Sequence, residues 1–133
     1  MHGFKGERML MRIYVEEQDK YHGRPLFETV MELLRSRHYA GATAFQGTLG
    51  FGAGSQIHDG YTWTLRADFP VVIECIETEE RIRAIIPEID EMIGGGLITL
   101  EQVRVVLYRK NPTAEERTED ERIDVTGSWK VHT

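Results

Sequence analysis

Two glycine clusters are the parts of this sequence whose residue types best suit chemistry. One is Gly47-Thr48-Leu49-Gly50-Phe51-Gly52-Ala53-Gly54-Ser55, directly after a strand-like segment, and the other is Gly94-Gly95-Gly96, directly before one. Glycine permits positive φ and lets an anion approach consecutive backbone N–H groups, which together form a concave nest. The chemistry implied is the holding of a phosphate or carboxylate. Neither cluster is followed by the Gly-Lys-Ser/Thr of a P-loop, and neither opens a helix as a dinucleotide fingerprint does. Two structural readings compete: a helix end and turn for Gly94–Gly96, and a hairpin loop for the first cluster.

Other chemistries have less support. The histidines are His2, His22, His38, His58 and His132. No two fall at i, i+2 or i, i+4, and no Cys-x-x-Cys occurs, so local spacing builds no zinc site. Ser55, His58 and Asp59 lie within one short stretch, but a triad is a matter of geometry that a single loop rarely holds. Cys75 stands in an apolar run and reads as a buried structural thiol.

The elements that must position these residues follow from periodicity. Met9, Met11, Ile13 and Val15 alternate over residues 9–15, with Leu10, Arg12 and Tyr14 on the other face, which predicts a strand. A polar turn covers 16–24, and Pro25 is placed as a first helical residue. Leu26, Phe27, Val30, Leu33, Leu34 and Arg37 recur at helical spacing to about His38. Residues 42–49 read as a second strand and 70–76, nearly all apolar, as a central one. Thr78 is the expected N-cap of a second helix, whose stripe is Ile82, Ile85, Ile86, Ile89, Met92 and Ile93. Pro87 is expected to kink or split that helix. Residues 103–108 read as the fourth strand. The order β-α-β-β-α-β predicts an α+β ferredoxin-like fold, a four-stranded antiparallel sheet with two helices on one face. The opposite face, with Leu10, Tyr14, Val106 and Tyr108, is then bare and calls for a partner.

The chain of 133 residues fits one domain. Residues 1–8 read as a flexible N-terminus, 9–109 as the domain, and 110–133 as a charged tail that docks through Trp129. Sixteen basic against 22 acidic residues leave a net charge of −6. That excludes a general nucleic-acid binder, which needs a basic surface to displace counterions. Neither a signal peptide nor a membrane span is expected, and the single cysteine forms no internal disulfide, so the protein reads as cytoplasmic.

Asp19-Lys20-Tyr21-His22-Gly23-Arg24-Pro25-Leu26, Ala40-Gly41-Ala42-Thr43, Gly47, Gly50-Phe51-Gly52, Ile57-His58, Pro70-Val71-Val72-Ile73 and Gly96-Leu97-Ile98-Thr99 occur in that order. This pattern resembles the PII-like family catalogued as domain of unknown function 190. The resemblance covers about residues 9–108 and implies a ferredoxin-like fold. By analogy with PII signalling proteins it implies a non-enzymatic homotrimer that binds a small anionic effector, an adenine nucleotide first, in clefts between subunits. Residues 50–62 would be the T-loop counterpart that engages a transporter or enzyme partner. Gly50, Phe51, Gly52, Ser55, His58, His22, Gly94, Gly95, Gly96, Arg109 and Lys110 would contact the effector, and Tyr61 is a candidate modification site. Leu97 stands where the PII phosphate loop has lysine, so backbone N–H groups would do most of the holding. The alternatives are a CutA-like trimer binding a metal or small ligand through His22 or His58, and an enzyme acting on a phosphorylated small molecule.

Overall fold

Alternation of Met9, Met11, Ile13 and Val15 produces the first strand, β1 (Gly6–Glu16), whose inward side chains are all buried. In this computed structural model, which describes residues 6–48, 50 and 69–111, β1 is followed by two very short strands, β2 (Lys20–Tyr21) and β3 (Arg24–Pro25). Helix α1 (Leu26–Ser36), strand β4 (Ala42–Gln46), strand β5 (Pro70–Glu77), helix α2 (Glu79–Met92) and strand β6 (Leu97–Val105) complete the order. Among the described residues, 8–103 belong to one compact unit, and 6–7 with 104–111 to a second.

The sheet order is β4-β5-β1-β6 and the strands run antiparallel. This is the expected α+β ferredoxin-like topology. Glu16 pairs with Pro70 and Met9 with Glu77 along β1–β5, and Ala42 pairs with Cys75 along β4–β5. The core joins Met9, Met11, Ile13, Val15, Val71, Ile73 and Cys75 of the sheet to Leu26, Val30 and Leu34 of α1 and Ile82, Ile85 and Ile89 of α2. Each fully buried aliphatic side chain here contributes roughly 1.5–3 kcal/mol. Leu10 and Tyr14 alternate onto the face without helices, but that face is not bare as expected: Leu10 is 6% exposed and Tyr14 is half-buried.

Several boundaries differ from the periodicity reading. β1 starts at Gly6, so Gly6, Glu7 and Arg8 extend the strand. The segment expected as a plain turn holds the β2–β3 hairpin, and Pro25 is the N-cap in β3, not the first helical residue. β4 stops at Gln46. β6 starts directly after Gly96, six residues before the expected Val103, and Val106 and Tyr108 follow its end. α2 runs unbroken through Pro87. That ring is on the exposed side of the helix, where the carbonyl left without its donor faces water.

The helix ends are set by local chemistry. Thr78 Oγ1 accepts the Arg81 N–H at 3.3 Å and caps α2 as expected. α1 ends in a Schellman pair: His38 N–H donates to Arg35 O at 3.0 Å and Tyr39 N–H to Leu34 O at 3.1 Å. His38 takes the left-handed position, φ +58°, that glycine usually fills.

Candidate functional site

The antiparallel register brings both glycine clusters to one end of the sheet. That end also holds the last residues of β1 and β4 and the first of β5 and β6. Glu17 N–H donates to Phe69 O at 2.9 Å, and Gly47 N–H donates to Pro70 O at 2.7 Å. Gln46 Nε2 donates to Glu17 Oε2 at 3.0 Å.

The glycines at this end differ in kind. A Cβ on Gly47 would stand 2.5 Å from Pro70 Cγ, and one on Gly50 would stand 3.0 Å from it. Their smallness accommodates the Pro70 ring, and the Gly47 amide is already spent on the sheet. Gly47 is therefore not an open anion donor, which corrects the nest reading at that residue. A Cβ on Gly96 would lie 2.6 Å from Tyr14 O, so close strand packing requires that glycine too. Gly94 and Gly95 are different: nothing lies within 4 Å of where a Cβ would stand, and neither has positive φ. The fold itself does not require glycine at either position. The helix ends on Ile93, whose N–H donates to Ile89 O, so Gly94 is not a helix cap.

Among the described residues, Gly47 and Gly50 stand apart from Gly94–Gly96 within a protomer. They sit by opposite edge strands, β4 and β6, three strand spacings or about 14 Å apart.

His22 stands at the tip of the β2–β3 hairpin. His22 and Gly23 have φ of +50° and +79°, as a type I′ turn requires. Histidine tolerates this region better than most residues. The His22 ring is exposed and stacks on Tyr21, with centroids 4.1 Å apart. Arg24 beside it forms a two-point pair with Glu32, at 2.8 and 2.7 Å. Those hydrogen bonds hold the Glu32 carboxyl below its ordinary pKa. Asp19 Oδ2 accepts the Glu16 N–H at 2.9 Å and fixes the turn into the hairpin.

Arg109 and Lys110 are exposed and belong to the second unit. Phe51, Gly52, Ser55, His58 and Tyr61, and Trp129 of the tail, lie outside the described residues. Burial pushes the Cys75 thiol up to about 12, and its side chain is 2% exposed. It is a core residue, as expected. Among the described residues no three His, Cys, Asp or Glu side chains could hold a metal together, and no helix is long and apolar enough to cross a membrane.

Two charged clusters escaped the periodicity reading. At the far end of the sheet, buried Glu77 accepts from Ala40 N–H at 3.1 Å, Thr78 N–H at 3.2 Å and Arg81 Nη1 at 2.7 Å. Arg81 also donates to Arg37 O and His38 O, at 2.6 and 3.2 Å, and lies 4.1 Å over the Tyr39 ring. It ties the end of α1 to the start of α2. On the open face, Arg12 pairs with Glu74 and Glu101. The i, i+4 spacing of Glu77 and Arg81 was a visible signal; nothing local joins Arg12 to the other two.

The family profile described as "Uncharacterized ACR, COG1993", DUF190, matches residues 8–105. The chain belongs to the DUF190 family. A UPF0166 protein of Aquifex aeolicus is 35% identical over 100 residues, which is 75% of this chain and 94% of that protein. UPF0166 protein MJ1524 of Methanocaldococcus jannaschii is 31% identical over 97 residues, 72% of this chain and 89% of that protein. The DUF190 match spans every strand and helix of the βαββαβ fold except the first two residues of β1. It leaves the tail from residue 106 outside.

Proposed function

We propose that this protein is a PII-like regulator without catalytic activity of its own. In this reading it is a homotrimer that binds a small anionic effector, a nucleotide first, where copies meet. Loop 50–62 then presents the bound state to a partner protein. Its physical basis is an effector with different affinity for two loop states, which shifts their populations.

The observation that carries the reading is the Gly94–Gly95 pair. Neither glycine is needed for packing or for φ, and small residues with open space above them suit close approach of a ligand to backbone N–H groups. Two further observations support sharing between copies. The glycine clusters are about three strand spacings apart within one protomer. The pair directly follows the C-terminal end of α2, a negative helix pole. Positive charge must therefore come from elsewhere, and Arg109 and Lys110 are the cations that the resemblance assigns to a neighbouring copy's cleft.

The test is a thermal-shift titration of the full chain with ATP, ADP, AMP and cyclic nucleotides, repeated on Gly95→Ala. Native-state binding raises Tm with the logarithm of ligand concentration over Kd. The expected result is a rise for at least one nucleotide in the wild type and its loss in Gly95→Ala. A flat response to every nucleotide at millimolar concentration would refute the effector class.

A further inference from the structure

The β2–β3 hairpin is held more firmly than its two short strands alone would hold it. At its foot Leu26 N–H donates to Asp19 O at 2.8 Å and Asp19 N–H to Glu16 O at 3.0 Å. Asp19 Oδ2 accepts the Glu16 N–H in return. The two-point Arg24–Glu32 pair ties the second strand to α1. The tip is thus braced although it faces solvent. It leaves the same end of β1 that carries the open glycines. A Cβ on Gly96 would meet Tyr14 O and Val15 Cγ1, and Glu16, the next residue of β1, is bonded to the hairpin foot.

What this tip presents is a ring. A type I′ turn forms most readily with Asn-Gly, and a non-glycine residue held at positive φ, as His22 is, carries a cost. The turn itself does not call for an imidazole. Among the described residues no hydrogen bond reaches the His22 ring nitrogens, so the ring does not tie the hairpin together either. It stacks on Tyr21, with 4.1 Å between centroids and 23° between planes. Tyr21 in turn packs against the core. The result is a pile of two rings, backed by the core and topped by an exposed imidazole. A flat π surface of this kind attracts another flat ring in an offset stack. Every nucleobase has such a face.

We infer that the exposed ring of His22 is the stacking platform for the base of the nucleotide bound at this end of the sheet. The inference rests on the nucleotide reading above and names the group that recognises the ring as distinct from the phosphates. Gly94–Gly95 offer backbone to an anion, and His22 offers a π face, so the two contacts differ in chemistry and can be removed one at a time.

Isothermal titration of the full chain with ATP, ADP, AMP and cyclic AMP tests it, on wild type, His22→Asn and His22→Phe. Asparagine suits the turn at least as well as histidine, so that variant removes the ring without loosening the hairpin. Phenylalanine keeps a flat ring and brings no nitrogen. Tm without ligand checks that each variant is folded. His22→Asn is expected to weaken the tightest nucleotide by about fivefold or more. His22→Phe is expected to stay close to wild type. Wild-type affinity in His22→Asn would overturn the inference and spare the nucleotide reading. Equal loss in both variants, each with an unchanged Tm, would also overturn it, because His22 would then act through its nitrogens and not by stacking. A wild type that binds none of the nucleotides at millimolar concentration would overturn both.

Discussion

Alanine at Gly96 and at Gly95, one residue apart, should move stability in opposite directions. A Cβ on Gly96 would lie 2.6 Å from Tyr14 O and 3.2 Å from Ile93 Cγ2. Ordinary Cβ contacts begin near 3.4 Å, so β6 must retreat from β1 by close to 0.8 Å, and the obstacle is backbone. Overpacking of this kind costs about 1–3 kcal/mol. For a compact unit of about 100 residues 1 kcal/mol moves Tm by roughly 4–8 °C, so Gly96→Ala should melt about 4–24 °C lower. At Gly94 and Gly95 the added methyl meets nothing and φ is compatible. Alanine there restricts the unfolded chain and should stabilise by about 0.4–1 kcal/mol. Scanning calorimetry at one fixed protein concentration measures all three, since assembly makes Tm concentration-dependent. Equal losses at the three positions would refute the division into structural and non-structural glycines. A stable Gly96→Ala would refute the steric argument for that residue.

The Glu77–Arg81 tie predicts that Arg81→Met costs about 2–3 kcal/mol in urea unfolding. It strips a buried carboxylate of its cation and the carbonyls of Arg37 and His38, just past α1, of their donor. Arg81→Met combined with Glu77→Gln should cost clearly less than the two single changes summed, and full additivity would show that the pair is uncoupled. Cys75, with its thiol pushed up to about 12 and almost no exposure, should react with a thiol reagent at pH 8 only on unfolding; prompt stoichiometric labelling of native protein would contradict this. Arg24 holds the Glu32 carboxyl low, so the unfolded state binds the proton more readily. That pair's contribution should be complete above the ordinary glutamate range and lost as pH falls below about 4. The stability difference between wild type and Glu32→Gln, followed against pH, should narrow in that window and stay level above it.

The fold was legible because its core obeys simple periods. Residues 9–15 alternate, the two helix stripes repeat at three and four, and Pro70–Glu77 is apolar enough to be a central strand. The misreadings arose where tertiary packing overrides local pattern. Pro87 is harmless because it faces water, which the sequence position alone does not state. β2 and β3 are two residues each, too short for any period, and their only signal is His22-Gly23 before Arg24. Residues 97–100 and 103–106 each hold three apolar residues in four, so apolar density alone does not place the start of β6. The glycine clusters were visible, but not their different purposes, since a glycine that yields to Pro70 and one that yields to nothing look alike in a string of letters.

The same distinction bears on where a ligand could be held. Among the described residues, three of the five glycines first grouped as one receptor are explained by the packing of this protomer: Gly47 and Gly50 by Pro70, and Gly96 by Tyr14. The other two described glycines, Gly94 and Gly95, follow a negative helix pole, a poor anion site in isolation. An anion held there needs cations from another copy, so dilution of the full chain to the monomer should abolish any nucleotide response, whereas Gly95→Ala should abolish the response and leave assembly intact. Assembly lost in Gly95→Ala, or a nucleotide response kept by the monomer, would break the link between the two.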